Sequence, residues 1–229
     1  MKNVRNESMQ KENDLTDGKQ YGLNDMLKLS CQDCAGCASC CEGMGNSVVL
    51  TPYDVFELER NLGMNFEQLM QEKIELSIND GMILPNLKMA GEGECCVFLN
   101  EEGRCSIHTF RPGICRLFPL GRQYGESKIS YIFLEHACPK PNKTKVKIKK
   151  WLGIPDIEQN ENFLLNWYKL KKQAIELIER AKEDTMAKEL NMYLLNLFFV
   201  QPYDTKQDFY SQFEVRRSMA EKLLCQLAK

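Results

Sequence analysis

The segment CQDCAGCASCC, residues 31–41, constrains this chain more than any other, because it places five cysteines in eleven residues. Four of them follow one another at a spacing of three residues, and the fifth is adjacent to the last. They are Cys31, Cys34, Cys37, Cys40 and Cys41. Three chemistries use sulfur at this density, namely disulfide bonds, zinc coordination and iron–sulfur coordination, and the rest of the sequence has to distinguish them.

The total number of cysteines and the N-terminus argue against disulfides. The chain has 11 cysteines, an odd number that would leave one thiol unpaired. Its polar N-terminus has no apolar core of the kind that a secretory signal needs, and no window reaches the roughly 18 apolar residues of a membrane helix. We therefore expect a cytoplasmic protein without membrane contact, in a reducing compartment that favours metal over disulfides. A net charge of −2 gives no support for a nucleic-acid partner.

The sequence predicts an α+β protein in which an irregular, metal-stabilised, cysteine-rich half with short strands and helices precedes a C-terminal helical bundle. Residues 1–22 contain little to bury and are predicted to be a disordered tail. The three parts after this tail are a cysteine-cluster metal-binding domain over residues 23–140, a lysine-rich linker over 141–157 and a helical region over 158–229.

Local patterns predict individual elements within the cysteine-rich half. NDMLKLS is predicted to be a short helix. TPYDVFELERNLG is predicted to be a helix capped by Thr51, with Pro52 in its first turn and Gly63 at its end. NFEQLMQEKIEL is predicted to be a second helix. CCVFL and RCSI flank the turn-like NEEG and predict a hairpin, and KISYIFLEH predicts a strand.

Apolar residues at spacings of three and four predict three helices in the C-terminal region. The first helix has the stripe Phe163, Trp167, Leu170, Ala174 and Ile178. The second has Met186, Leu190, Tyr193, Leu197 and Val200. The third follows a capping pair of Thr205 and Asp208, and its predicted core stripe comprises Phe209, Phe213, Ala220, Leu223, Cys225 and Leu227.

The spacing of the cysteines bears on the choice of metal. Structural zinc sites are usually built from two closely spaced ligand pairs, whereas the cysteines after residue 90 form no CxxC pair. A [4Fe–4S] cluster takes one thiolate per iron, and three cysteines at i, i+3 and i+6 with a distant Cys-Pro fit it. Cys34, Cys37 and Cys40 with Cys138-Pro139 match that arrangement. The pattern favours an iron–sulfur centre, with zinc held by scattered cysteines as the alternative.

Other cofactor classes lack sequence support. The CxxxCxxC spacing typical of radical S-adenosylmethionine enzymes occurs only in reverse order, at Cys34, Cys37 and Cys41. The chain has neither GxGxxG after a strand nor GxxxxGK[ST], so no nucleotide site is predicted. Its two histidines are too few for a histidine-rich catalytic metal site.

The sequence resembles the CxxCxxCC family of zinc- or iron-chelating proteins, the YkgJ-like cysteine-cluster proteins. The resemblance rests on CAGCASCC (34–41), CVFLNEEGRCSIHTFRPGICRLFP (96–119) and the late CP at 138–139. It implies eight metal-chelating cysteines: Cys34, Cys37, Cys40, Cys41, Cys96, Cys105, Cys115 and Cys138. A larger related branch contains flagellin lysine methylases, but this chain is short for that branch and has no recognisable S-adenosylmethionine motif.

Several side chains near the predicted ligands have two interpretations. Three arginines either offset thiolate charge or pair with carboxylates and carbonyls: Arg104, Arg111 and Arg116. His108 is either a ligand or a structural hydrogen-bonding histidine. Cys31 either replaces Cys34 in a shifted register or is a bystander, and Cys95 is predicted to be a bystander beside Cys96.

Three functions arise as hypotheses, and no catalytic residue is assigned. The first is an iron–sulfur protein, with a [4Fe–4S] centre, for electron transfer, redox sensing or metal-dependent modification of a partner protein. The second is a structural zinc module that presents the helical bundle to a protein partner. The third is a protein lysine methylase by family analogy. Because eight thiolates exceed the need of one four-coordinate ion or one cluster, either two centres form or one is surrounded by free thiols.

Overall fold

A computed structural model describes residues 16–30, 37–91, 93–181 and 184–228. In these residues, seven α-helices and four two-stranded antiparallel sheets confirm the predicted α+β fold. The strands are β1 (Met26–Ser30), β2 (Ile74–Asn79), β3 (Met82–Leu87), β4 (Met89–Ala90), β5 (Cys95–Cys96), β6 (Leu120–Tyr124), β7 (Ile129–Phe133) and β8 (Thr144–Lys147). The helices are α1 (Pro52–Leu62), α2 (Phe66–Glu72), α3 (Gly113–Leu117), α4 (Ile148–Leu152), α5 (Ile157–Arg180), α6 (Asp184–Leu195) and α7 (Phe209–Leu227).

Helix α1 forms as its caps predict. The hydroxyl of Thr51 accepts a hydrogen bond from the backbone N–H of Asp54, and the Asp54 carboxylate accepts one from the Thr51 N–H at 2.8 Å. At the other end Gly63 has a φ of 65°, a left-handed conformation that lets the chain leave the helix. The side chain of Asp54 is buried, so this cap also fixes a carboxylate inside the protein.

The segment predicted as a short helix before the cysteines is strand β1 instead. It pairs antiparallel with β8, so that Met26 lies opposite Lys147 and Ser30 opposite Thr144. Leu29 is fully buried and Leu27 packs on the core, an alternation typical of a strand. The helix prediction was wrong because the pairing partner lies far away in sequence, where a local pattern cannot show it.

Parts of the predicted tail and linker are folded. Tyr21 and Tyr131 exchange backbone hydrogen bonds of 2.8 and 2.9 Å, beside strand β7. The predicted linker contains β8 and α4, and Ile148 and Leu152 of α4 are fully buried. Tyr21 in the predicted tail and residues 144–152 in the predicted linker therefore take part in the folded structure. Residues 1–15 lie outside the described part, and the four-part division of the chain otherwise stays a prediction.

Two predictions in the middle of the chain have different outcomes. The predicted hairpin around NEEG is confirmed, since Leu99 pairs with Cys105 and the Ser106 N–H donates to the Phe98 carbonyl at 2.8 Å. The predicted helix over residues 65–76 ends at Glu72, because the residues from Ile74 onward pair with β3.

The three C-terminal helices pack through an aromatic core that reaches α1. The rings of Phe163 and Phe213 meet edge to face with centroids 4.6 Å apart. The ring of Trp167 lies 5.0 Å from that of Phe198, in the π-helical turn Asn196–Val200 that follows α6. Tyr53 of α1 stacks on Tyr210 of α7 at 5.5 Å. The helical region thus packs directly on the cysteine-rich half.

A buried amide on α6 connects the same two halves. Asn191 accepts a hydrogen bond from the Ile83 N–H at 2.8 Å and donates one to the Gly81 carbonyl at 3.0 Å. These contacts satisfy backbone groups at the β2–β3 turn from a helix more than 100 residues away.

The predicted core position of Cys225 is wrong, because its side chain is exposed. The buried residue of that turn is Leu224, and the next residue on an α-helix is rotated by about 100° away from it. Val200, assigned to the core stripe of the second helix, is also exposed, at 47%, and so is Leu227 of the third, at 37%.

The buried carboxyl of Glu59 should make the folding stability of this protein depend on pH. Burial raises the pKa of this carboxyl from 4.5 to about 7, because the charged form is desolvated in α1. The folded protein therefore holds a proton there that the unfolded chain has released, and stability falls as the pH rises from about 4.5 to about 7. We expect Glu59→Gln to stabilise the protein by about 1–2 kcal/mol at pH 8, with partial solvent screening included, and to change little at pH 4.

Urea unfolding of both proteins at the two pH values measures this difference. Glu176→Gln, at an exposed position of α5, is the matched control and should unfold like the wild type at both. A Glu59→Gln effect of equal size at pH 4 and pH 8 would show that its pKa is not raised by burial.

None of the helices in the described ranges combines the length and the apolar character that a membrane crossing requires.

Candidate metal centre

We call the run of cysteines at residues 31–41 the cysteine ladder. Backbone hydrogen bonds pair its C-terminal end with strand β5. The Cys96 N–H donates to the Cys41 carbonyl at 2.7 Å, and the Gly43 N–H donates to the Glu94 carbonyl at 3.1 Å. Glu42 lies opposite Cys95 in the same pairing. This arrangement places the thiols of residues 40 and 41 beside the buried Cys96.

Cys115 reaches the same region from helix α3, whose start is fixed by three neighbouring residues. Arg111 has an extended backbone, as the residue before a proline favours, and Pro112 precedes the first turn. The Gly113 N–H then donates to the buried carboxylate of Asp54 at 2.7 Å. Helix α1 therefore positions the helix that carries Cys115.

Five of the predicted ligands line a first cavity of about 30 Å³: Cys40, Cys41, Cys96, Cys105 and Cys115. Its remaining wall is largely apolar and includes Val48, Leu87 and Phe98. A space of this size holds one or two water-sized groups, and sulfur is the main donor facing it.

A second cavity of about 20 Å³ adjoins the first. The thiols in its wall are those of Cys37, Cys40, Cys115 and Cys138. Cys40 and Cys115 stand in the walls of both cavities, together with Arg111. The seven predicted ligands that the structure describes therefore surround two neighbouring spaces, while the eighth, Cys34, lies outside the described residues, as does Cys31.

The thiols surround these spaces without a finished coordination geometry. Among the described residues, no three cysteine, histidine, aspartate or glutamate side chains are close enough together to hold an ion as they stand. Ligation therefore requires the thiols to turn toward a common point. The donor set itself fits zinc or iron, since both accept cysteine thiolates.

The environment of Cys40 favours its thiolate. A hydrogen bond from Cys41 lowers the pKa of Cys40 against the effect of burial, and the positive charge of Arg111 also lowers it. Cys41, as the donor, has its pKa raised, and burial adds to that rise. One member of the adjacent pair is thus prepared as a thiolate.

Burial has the opposite effect on the thiols that come from the later part of the chain. It raises the pKa of Cys96, of Cys105 and of Cys115, because a thiolate in an apolar wall lacks hydration. These groups are neutral until a metal replaces their protons, so binding free energy also serves to hold this half of the protein together.

Arg111 lines both cysteine cavities. The sequence analysis had given Arg104, Arg111 and Arg116 the same two possible roles. Arg111 donates a hydrogen bond to Nε2 of His108 at 2.9 Å, a contact that agrees with the structural interpretation of His108. Its charge lowers the pKa of Cys40 and opposes the rise at Cys105. A guanidinium between the two cavities offsets part of the charge that several thiolates would bring.

Arg116 has the other role that the sequence allowed. Its side chain donates to the backbone carbonyls of Thr109, Arg111 and Gly153, and so holds the chain around α3 in place. Cys95, the predicted bystander, lies in the wall of neither cysteine cavity. It faces away from Cys96, as neighbouring residues on a strand do.

Comparison with known proteins agrees with this cluster of thiols. The family model that matches is that of CxxCxxCC, described as a domain proposed to chelate zinc or iron, over residues 33–145. Residues 33–145 belong to this family. The CxxCxxCC domain begins in the cysteine ladder and ends in β8, so it contains every residue that lines the first cavity and, apart from Trp151, every residue that lines the second. No curated protein and no solved structure matches the chain.

Proposed function

We propose that the CxxCxxCC domain holds two metal ions side by side, and that the most suitable ion is zinc. What supports this is the presence of Cys40 and Cys115 in the walls of two adjoining cavities, each of which has space for one or two water-sized groups. Eight cysteines supply four thiolates for each of two tetrahedral ions.

In this proposal each of the two metal positions has four cysteine ligands. The first cavity would take Cys41, Cys96, Cys105 and Cys115. The second would take Cys37, Cys40 and Cys138 with Cys34 of the same ladder. Eight thiolates and two Zn²⁺ leave a charge of about −4, which Arg111 partly offsets from its place between the cavities.

In this proposal the metals have a structural role. They would fasten the ladder, β5, the hairpin and α3 to one another, and α1 and its neighbours would then carry the helical bundle. The bundle is the surface that we assign to a protein partner, and the cytoplasm is the compartment that keeps these thiols reduced. The described residues add nothing to the methylase hypothesis, which stays a prediction.

An iron–sulfur centre is the second candidate, and one observation favours it. Cys37, Cys40 and Cys138 line the same cavity, and they are three of the four cysteines in the [4Fe–4S] pattern of the sequence. A cluster at this position requires the cavity walls to move apart, which is why we place it second.

Metal and acid-labile sulfide analysis of protein purified without oxygen separates the two candidates. We expect colourless protein with about two zinc ions per chain and no sulfide. Iron and sulfide in equal amounts, with broad visible absorption, would support the cluster and overturn the zinc proposal. Protein without bound metal, when purified with zinc and iron supplied, would contradict both.

A single variant tests the division into two positions. Cys96→Ser should retain about one zinc ion per chain, because Cys96 lines only the first cavity. Cys95→Ser, at the adjacent residue outside both walls, is the control and should retain both ions. Complete loss of metal from Cys96→Ser would indicate one centre.

A further inference from the structure

A third and larger cavity lies on the other side of Arg111 from the cysteines. Its volume is about 310 Å³, near the lower end of the range of about 300–1,000 Å³ for small-molecule sites. Residues of α1, of the segment around α3 and of α5 line it, and no cysteine does. This cavity shares one lining residue, Arg111, with the two cysteine cavities.

The wall of this cavity carries an excess of positive charge. Four cationic side chains line it together with two acids, and these six are Arg111, Arg116, Arg122, Lys171, Asp54 and Glu57. Both acids already have partners. Asp54 accepts hydrogen bonds from Thr51 and Gly113, and Glu57 lies 3.6 Å from Arg60.

The arginines of this wall differ in how many of their N–H groups already have an acceptor. Arg116 is bound to backbone carbonyls of the chain around α3. In the described part of the chain, Nε of Arg111 and Nε of Arg122 are buried and have no hydrogen-bond partner. Buried N–H donors normally find an acceptor, and because both arginines line this cavity, each has a donor left for a bound anion.

Flat apolar surfaces complete the wall. The cavity includes the rings of Tyr53, Phe110, Tyr124 and Trp167. Tyr124 is held in place by stacking on Tyr168, with ring centroids 4.4 Å apart. Aromatic rings beside guanidinium groups suit a ligand with a flat unsaturated body and an anionic end.

We propose that this cavity is a binding site for a small organic anion, with a carboxylate or phosphate held by Arg111 and Arg122 and a flat body against the aromatic wall. Both anions offer several acceptor oxygens to planar guanidinium donors. Lys171, next to Trp167 on the same helix face at 6.0 Å from its ring centroid, adds positive charge to the site.

Isothermal titration of the metal-loaded full-length protein tests the site with three probes. Benzoate and phenyl phosphate represent the two anions, and benzamide has the same ring without the charge. We expect at least one anion to bind about tenfold or more tightly than benzamide. Absence of binding by both anions, or equal binding of benzamide, would overturn the proposal.

Three variants locate the binding. Arg122→Gln should weaken the preferred anion about tenfold or more. Arg180→Gln is a matched loss of charge at an exposed position of α5 outside the cavity wall, and it should leave affinity unchanged. Ile154→Trp should block the cavity without changing its charge, which keeps the test valid if Arg122→Gln unfolds. Unchanged binding by Ile154→Trp would place the anion elsewhere.

Metal analysis of the same samples separates this inference from the proposed function. Full metal content with no anion binding would refute the cavity site and leave the metal proposal intact. Anion binding by protein that carries neither zinc nor iron, although both were supplied during purification, would refute the metal proposal and leave the cavity site intact.

Discussion

The Cys115→Ser protein is expected to lose the zinc ion of the first position, to hold the second ion more weakly, and to be less stable by more than about 4 kcal/mol, because the binding free energy of a structural zinc is on the order of 10 kcal/mol. Cys115 lies in the wall of both cysteine cavities, so its loss removes a donor where the two positions meet. Serine keeps the size of the side chain but is a poor zinc ligand. Metal analysis and chemical unfolding of the purified variant measure the two effects.

Cys225→Ser is the control for this experiment. Its thiol is exposed near the end of α7 and lies in neither cysteine cavity, so metal content and stability should match the wild type. A Cys115→Ser protein that keeps two zinc ions would show that Cys115 is not a ligand at either position.

Asp54→Ala should have the second largest effect, although Asp54 binds no metal in our proposal. Its carboxylate accepts hydrogen bonds from the Thr51 N–H at the start of α1 and from the Gly113 N–H at the start of α3. The substitution removes a helix cap and leaves a donor at α3 without its partner, a cost of about 2–4 kcal/mol. Because α3 carries Cys115, we also expect weaker zinc retention in a competition with a chelator.

Asp208→Ala is the control for Asp54→Ala, because it removes a helix cap that lines neither cysteine cavity. Asp208 also caps a helix, accepting from the Ser211 N–H at 2.6 Å, but it is exposed at the start of α7. Its loss should cost about 1 kcal/mol and should not change zinc retention. If both variants retained zinc equally, Asp54 would be a helix cap without influence on Cys115.

Sequence reasoning succeeded where the signal was local. The cap of α1 could be read from the neighbouring residues Thr51, Pro52 and Asp54, because a capping box spans only four positions. The hairpin around NEEG and strand β7 have similarly short signals. The spacing of the cysteines pointed to Cys34, Cys37, Cys40 and Cys138 alone. The set of eight ligands came from the resemblance to the CxxCxxCC family, and it stays a prediction that the metal measurements test.

The failures came from partners that are distant in sequence. Nothing in NDMLKLS shows that residues 144–147 will pair with it. On α7, Leu224 and Cys225 are adjacent, so a small error in the helical register exchanges a buried position for an exposed one. The place of Arg111 between three cavities depends on how α1, α3 and the cysteine ladder meet, which no pattern within the RPG segment specifies.

The pairing of β1 with β8 also sets an order of events during synthesis on the ribosome. Every cysteine from residue 31 to residue 138 emerges before residues 144–147, so all the candidate ligands are available before β1 has a strand to pair with. Until then the two ends of the cysteine-rich segment are joined only through the chain itself, and bringing them together costs entropy that grows slowly with the length of the loop. Metal that binds during this interval shortens the effective loop and so makes the final strand pairing easier.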